Sequence, residues 1–289
     1  MYLKDNFMKL TCKTREKLIK FLIHNVQGLS FGSAQKSMRN GDVKVNGKRT
    51  KQNIDVYPGD EIDVFVKNTS MPNVQIIYED ENILIVNKPC GLECATRDKS
   101  SNNTYSLEEI FASKNAKVVH RLDRLTEGLL VLSKNLDTTK LLEKALENGE
   151  IHKTYMALVE GTFDNAGIKT AYLKKDAKKS KVEISATPNE GFKKIITEFK
   201  VIQMYPKYTL LEIKLHTGKT HQIRAHLSYL KFPIVNDSKY GKKSSELKYP
   251  GYFLTSTKLD FDITGSLSYL NKLHFEIEPS WTKLIENKD

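Results

Sequence analysis

The chain of 289 residues carries 46 lysines and arginines against 35 acids, a net charge of +11 and a pI near 9.3. With 39% hydrophobic and 28% charged residues it has ample material for a core, yet no apolar run near the ~18 residues that span a membrane. Three cysteines make no disulfide framework, the N-terminus lacks a signal-peptide apolar region, and the basic balance favours a polyanionic partner, so a cytoplasmic protein is expected.

Residues 1–70 hold 13 of the basic residues and 7 of the acids, a net +6. Arg15 to Asn25 is predicted as a helix, with Leu18, Phe21, Leu22 and Val26 on one stripe. Ser33 to Arg39 is predicted as a second helix. Val43-Lys44-Val45 then runs into Asn46-Gly47, the strongest short hairpin signal, and Pro58-Gly59-Asp60 turns into a strand over Glu61 to Val66. This helix–helix–hairpin order, with Gly41-Asp42-Val43-x-Val45-Asn46-Gly47, resembles the S4 RNA-binding module. The resemblance implies a small α/β RNA-binding domain in which Lys36, Arg39 and Lys44 grip phosphates.

Lys67 to Val74 is polar, with one proline; the linker is placed at 71–75 and a second domain at 76–289. Ile76 to Pro89 reads as strand, acidic turn and buried strand, ending in Lys88-Pro89-Cys90-Gly91. Asp137 is expected to cap a helix whose buried stripe is Leu141, Leu142, Ala145 and Leu146, with Asn148-Gly149 ending it. His152 to Glu160 alternates as a strand. The lysine-rich stretch Lys174 to Lys181 reads as an exposed hairpin or loop. Leu210 to Leu215 is a strand, and Thr217-Gly218 leads to a helix near Thr220, with Ile223, Leu227 and Leu230 on one face. Strand-like runs near Phe253 and Leu273 complete an α+β domain around a mixed, mostly antiparallel sheet.

Between two apolar segments lies the elbow His120-Arg121-Leu122-Asp123-Arg124-Leu125-Thr126-Glu127-Gly128. A carboxylate between two arginines stays ionised, because nearby positive charge favours the anion by ~1–3 pKa units. The elbow closely resembles the His-Arg-Leu-Asp-x-x-Thr-Ser-Gly signature of the RluA family of RNA pseudouridine synthases, with Glu127 where the commonest form has serine. Lys153-x-Tyr155 and Thr217-Gly218-Lys219-Thr220-His221-Gln222-Ile223-Arg224 resemble two more family motifs, in the family's order. Lys219 stands for the usual arginine and lacks its bidentate fork. Leu254-Thr255-Ser256 departs from the commoner Leu-His-Ala.

The resemblance implies the pseudouridine synthase fold and isomerisation of uridine in RNA to pseudouridine, without metal, nucleotide or organic cofactor. It assigns Asp123 as nucleophile, Arg224 as its ion-pair partner, and Tyr155 as a ring for uracil whose hydroxyl helps remove the C5 proton. Arg121 would fill the gap left by the flipped nucleotide. His120, Lys88 and Lys219 join it on the RNA side, although His120 and His221 read by themselves as hydrogen-bonding scaffold. Ribosomal RNA is the favoured partner, transfer RNA the other option, and a monomer the expected state. Which covalent adduct forms is left open.

Alternatives are a catalytically silent RNA-binding or ribosome-assembly factor, and a glycosidase-like hydrolase, which would need a second, spaced carboxylate. Thr217-Gly218-Lys219-Thr220 is no P-loop, since Ile213 occupies the position of the required glycine. His216, His221 and His226 recur every five residues, which does not place them on one helical face for zinc.

Overall fold

A computed structural model describes residues 6–26, 29, 31–66, 72–95, 105–176, 181–244 and 246–286. They divide into two compact units, Met1–Asn73 with Ala95–Ile110, and Val74–Cys94 with Phe111–Asp289. Among the described residues no helix is long and apolar enough to cross a membrane.

The first unit contains β1 (Asn6–Thr11), β2 (Glu16–Lys17), α1 (Leu18–Asn25), α2 (Phe31–Asn40), β3 (Val43–Val45), β4 (Lys48–Arg49), β5 (Asp55–Val56), β6 (Glu61–Val66) and α3 (Leu107–Ile110). A four-stranded antiparallel sheet runs β1-β6-β3-β4. Its Val43, Ile62 and Val64 pack with Leu18, Phe21 and Leu22 of α1 and Ala34 and Met38 of α2. The first helix starts three residues later than predicted from Arg15, because Glu16 and Lys17 pair with Val56 and Asp55. Asn46 and Gly47 both have positive φ, 49° and 76°, the two-residue turn whose twist suits a hairpin. Asn46 locks it by accepting from the Glu61 amide and donating to Asp60.

The second unit contains β7 (Gln75–Glu79), β8 (Ile83–Lys88), β9 (Lys117–Val118), β10 (Glu127–Ser133), α4 (Leu136–Asn148), β11 (Ile151–Glu160), β12 (Gly167–Asp176), β13 (Lys181–Ser185), β14 (Lys193–Met204), β15 (Tyr208–Leu215), α5 (Gln222–Tyr229), β16 (Leu254–Phe261), β17 (Phe275–Glu276) and α6 (Thr282–Glu286). An 11-stranded sheet runs β13-β12-β14-β15-β11-β16-β10-β8-β7, with β9 on β10 and β17 on β16. Among the described residues only β10 and β16 pair in parallel. The sheet is therefore mixed and mostly antiparallel, in line with the alternating segments of the sequence.

The asparagine Asn135, not Asp137, caps α4, its side chain accepting from the Thr138 amide at 2.8 Å. Asp137 sits in the first turn, where a carboxylate favours the helix dipole. Leu142 and Ala145 are buried as expected, Leu146 partly so, while Leu141 is 40% exposed. Gly149 ends the helix in the left-handed conformation. Of the lysine-rich stretch, Lys174, Lys175, Asp176 and Lys181 lie in the paired ends of β12 and β13; residues 177–180 lie outside the described ones. Leu273 is no strand residue; it closes a 3-10 helix over Gly265–Lys272, and β17 begins two residues on. Strands β1 and β14, and most of β12, fall outside the predicted elements.

One close approach places the elbow. Gly128 has φ 119° and lies beside Ser256, where a Cβ would overlap the Ser256 backbone. Only glycine lets β10 meet the central strand β16 there. The elbow that ends at β10 is thereby brought to the middle of the sheet.

Candidate active site

The elbow 122–125 is bracketed by backbone hydrogen bonds. The Cys94 thiol donates to the Leu122 carbonyl and accepts from its amide, both at 3.4 Å. The Thr126 amide closes a turn on the Asp123 carbonyl at 3.0 Å, and the Tyr252 amide donates to Leu125 at 3.1 Å. The Arg124 carbonyl accepts from the Gly91 amide at 2.8 Å and from Lys88 Nζ at 3.3 Å. With these groups satisfied the backbone is fixed, and the Asp123 side chain has a defined origin.

Asp123 keeps 18% of its side chain exposed. Its Oδ2 accepts from Nη1 of Arg224 at 2.6 Å, and its Oδ1 lies 3.7 Å from Nε2 of His221. Arg224 belongs to the first turn of α5 and is 3% exposed. The rest of its guanidinium is committed: Nε donates to Asp237 Oδ2 at 2.6 Å, and Nη2 to Asp237 Oδ1 at 3.0 Å and the Tyr252 hydroxyl at 2.9 Å. Its plane also lies 4.0 Å from the Tyr252 ring centroid and 5.1 Å from that of Tyr240. Burial alone would weaken the cation. The Asp237 bonds and charge, then Asp123, more than offset this and raise its pKa. Arg224 is a permanent cation on the flank of Asp123.

Tyr155 lies on β11, beside Ser256 of β16 in the ladder. Burial, aided by the Asp123 charge, raises its phenol well above the usual range. The phenol is thus kept neutral, and its ring walls the cleft. Asp123, Tyr155, Arg224, Arg121, Lys219, His221 and Leu254 line one cleft enclosing about 380 Å3 of space, part of it open to solvent. Arg121 and Lys219 are exposed at its rim.

Two residues assigned to the RNA side are elsewhere. Lys88 is wholly buried, its Nζ donating to the carbonyls of Leu92 at 3.0 Å, Pro89 at 3.1 Å and Arg124 at 3.3 Å. Burial pushes its pKa down to about 8. It holds the elbow and meets no phosphate. His120 turns inward, its Nε2 accepting from the Val131 amide at 3.4 Å. Burial, with Lys153 adding, pushes its pKa down to about 3, so it carries no charge for RNA. Lys36, Arg39 and Lys44 belong to the other unit, with Arg39 exposed and the lysines half-buried.

The sequence reading missed Asp237, Tyr240, Tyr252 and Gln222. Gln222 holds the turn before α5: its Oε1 accepts from the Lys219 amide and Thr217 hydroxyl, and its Nε2 donates to Ile196 and Thr197. It stands inside a motif that the sequence already marks, whereas nothing local marks Asp237. Glu127, the departure from serine, is buried and takes four donors, from Tyr249, Thr255 and both the amide and hydroxyl of Ser280.

Residues 82–229 match the profile of the RNA pseudouridylate synthase family. The ribosomal large subunit pseudouridine synthase D of Borreliella burgdorferi is 31% identical, over 81% of this chain and 78% of its own. The ribosomal large subunit pseudouridine synthase C of Buchnera aphidicola is 31% identical, over 93% and 89%. Among solved structures, human RNA pseudouridylate synthase domain containing 4 aligns with a TM-score of 0.59 at 19% identity, covering 73% of this chain and 90% of that one, a likeness of fold alone.

Proposed function

We propose that this chain, which belongs to the RluA-type RNA pseudouridine synthases, isomerises uridines of ribosomal RNA with Asp123 as the nucleophile. The observation that carries the reading is the Asp123–Arg224 pair in a solvent-open cleft that Tyr155 also lines. A carboxylate held on one oxygen and reachable on the other is suited to attack a flipped-out nucleoside. The bond from N1 to the ribose C1′ breaks, and uracil turns against the Tyr155 ring. C5 then bonds to C1′, losing its proton as N1 gains one. Nothing is oxidised and no group enters. A metal or cofactor has no step to perform.

Ribosomal RNA is the favoured substrate, since the relatives named above carry ribosomal large subunit in their names. Arg121 and Lys219, exposed at the cleft rim, are assigned to RNA contact. The first unit is read as an S4-like RNA-binding domain over residues 1–70. What supports this is a pair of short helices on a small antiparallel sheet, with Arg39 and Lys51 beside a depression also lined by Gln35 and Asn53.

The test is Asp123→Asn, which keeps shape and removes charge. Pseudouridine formation on unmodified large-subunit ribosomal RNA should vanish while RNA binding persists. An Asn variant working near the wild-type rate would refute the nucleophile.

A further inference from the structure

We propose that His221 is a positioning residue of this reaction, presenting Nε2–H of a neutral imidazole to the Asp123 oxygen that Arg224 leaves free. The inference rests on Asp123 being the nucleophile.

The ring's orientation is built in. His221 has φ 54°, a left-handed conformation that a residue other than glycine adopts at a cost and that recurs at functional sites. The surrounding turn enforces it. The Gln222 amide donates to the Lys219 carbonyl at 3.0 Å, the Lys219 amide to Gln222 Oε1 at 3.0 Å, and the Ala225 amide to the His221 carbonyl at 2.9 Å. The ring then lies with Nδ1 at 2.8 Å from the Tyr240 hydroxyl and Nε2 at 3.7 Å from Asp123 Oδ1.

The tautomer follows from counting donors. The Tyr240 oxygen already accepts from the Val182 amide at 2.9 Å. Its own hydrogen is free to go to Nδ1, which places the ring proton on Nε2. The opposite tautomer would leave the phenolic hydrogen without an acceptor among the described residues. It would also aim the Nε2 lone pair at a carboxylate. Tyr240 is itself held, with Arg224 at 5.1 Å and Lys181 at 5.8 Å from its ring centroid.

The groups facing His221 are Asp123 from the elbow, Arg224 from α5, and Asp237, Lys239 and Tyr240 from the segment after it. Burial leads in lowering its pKa; Arg224 and Lys239 add to that, against Asp123 and Asp237. The ring is neutral at pH 7. At 3.7 Å its N–H does not yet bond Asp123, and closure by under ~1 Å makes it a second donor. Two donors, one per oxygen, fix the plane of the carboxylate. A neutral donor does so without tying up the nucleophile, whereas an imidazolium would form a charge-assisted bond and blunt it.

The test combines 15N imidazole shifts with turnover of [5-3H]uridine-labelled, in vitro transcribed large-subunit ribosomal RNA. Wild type should show the neutral Nε2–H tautomer at pH 7. Its turnover should fall on the acid side through an inflection below the ordinary 6.5 of imidazole. His221→Phe should lose roughly ten- to a hundredfold in kcat with KM changed less than about twofold. His221→Gln, whose amide can donate but not titrate, should recover most of kcat and lose the wild-type acid inflection. An Nδ1–H ring or imidazolium at pH 7, an unchanged kcat in His221→Phe, or a His221→Gln profile superimposing on wild type would each overturn the proposal. If Asp123→Asn retained turnover, the nucleophile itself would be misassigned, a failure distinct from an Asn-sensitive enzyme indifferent to His221.

Discussion

Arg224 grips Asp237 with two nitrogens, at 2.6 and 3.0 Å, and this fork is what leaves Nη1 alone to meet Asp123. Asp237 is wholly buried and also accepts from the Lys239 and Tyr240 amides. Arg224, the partner of Asp123, is therefore aimed by a second carboxylate that does not line the cleft.

Removing that carboxylate's charge with Asp237→Asn, or the fork with Arg224→Lys, is expected to cost roughly 3 kcal/mol of stability, since each leaves a buried charge short of its partner. Turnover should fall by about a hundredfold or more because Arg224 loses its aim. Urea unfolding and single-turnover kinetics check both. A wild-type unfolding midpoint would show that the buried pair contributes nothing.

Lys88 makes stability depend on alkaline pH. Its folded pKa, about 8, lies below its ordinary 10.5, so between those values the unfolded chain binds more protons and stability rises with pH. Below pH 8 the buried cation costs roughly 3 kcal/mol, from the ~1.4 kcal/mol per pKa unit of linkage. That cost fades towards pH 10.5. Lys88→Met should flatten this rise in denaturant titrations at pH 7, 9 and 10.5, and slow turnover by freeing the Arg124 carbonyl. Parallel stability profiles for the two proteins would contradict the burial argument.

Glu127→Ser restores the commoner residue but removes a carboxylate that binds Tyr249, Thr255 and Ser280. The buried Thr255 hydroxyl and the half-buried Tyr249 hydroxyl would then lack this acceptor, at ~1–3 kcal/mol each before relaxation, while the exposed Ser280 turns to water. A loss of about 3 kcal/mol is expected, with turnover per folded molecule largely kept. Thermal melts beside activity separate the two effects. An unchanged Tm would mean that water replaces the carboxylate.

The first unit should set affinity and not chemistry. Arg39→Glu with Lys51→Glu, both exposed beside its depression, should weaken binding of large-subunit ribosomal RNA. The slope of log K against log salt should fall by about one for each phosphate no longer neutralised, because fewer counterions are released. Single-turnover rates at saturating RNA should stay within about twofold of wild type. An unaltered salt slope would remove this unit from the RNA path.

Much of the chain is legible locally. The Asn46-Gly47 hairpin, the stripe of α1, the end of α4 at Gly149 and the strand carrying Tyr155 all follow from period and turn chemistry within a few residues. Errors arise where the deciding partner is distant in sequence. Lys88 has the look of a surface cation, but three carbonyls from two separate loops enclose it. Asp137 has the chemistry of a cap, and Asn135 takes the position.

By itself the sequence determined an acid in an elbow and an arginine at a helix start, because motif spacing and charge are local properties. The tertiary structure decided that these two meet across 101 positions, that Asp237 turns the guanidinium to make that meeting single-toothed, and that Tyr240 chooses the His221 tautomer. Ion pairs and tautomers depend on distances of a few ångströms in a low-dielectric interior, and only the folded sheet, with Gly128 against Ser256, brings those groups within that range.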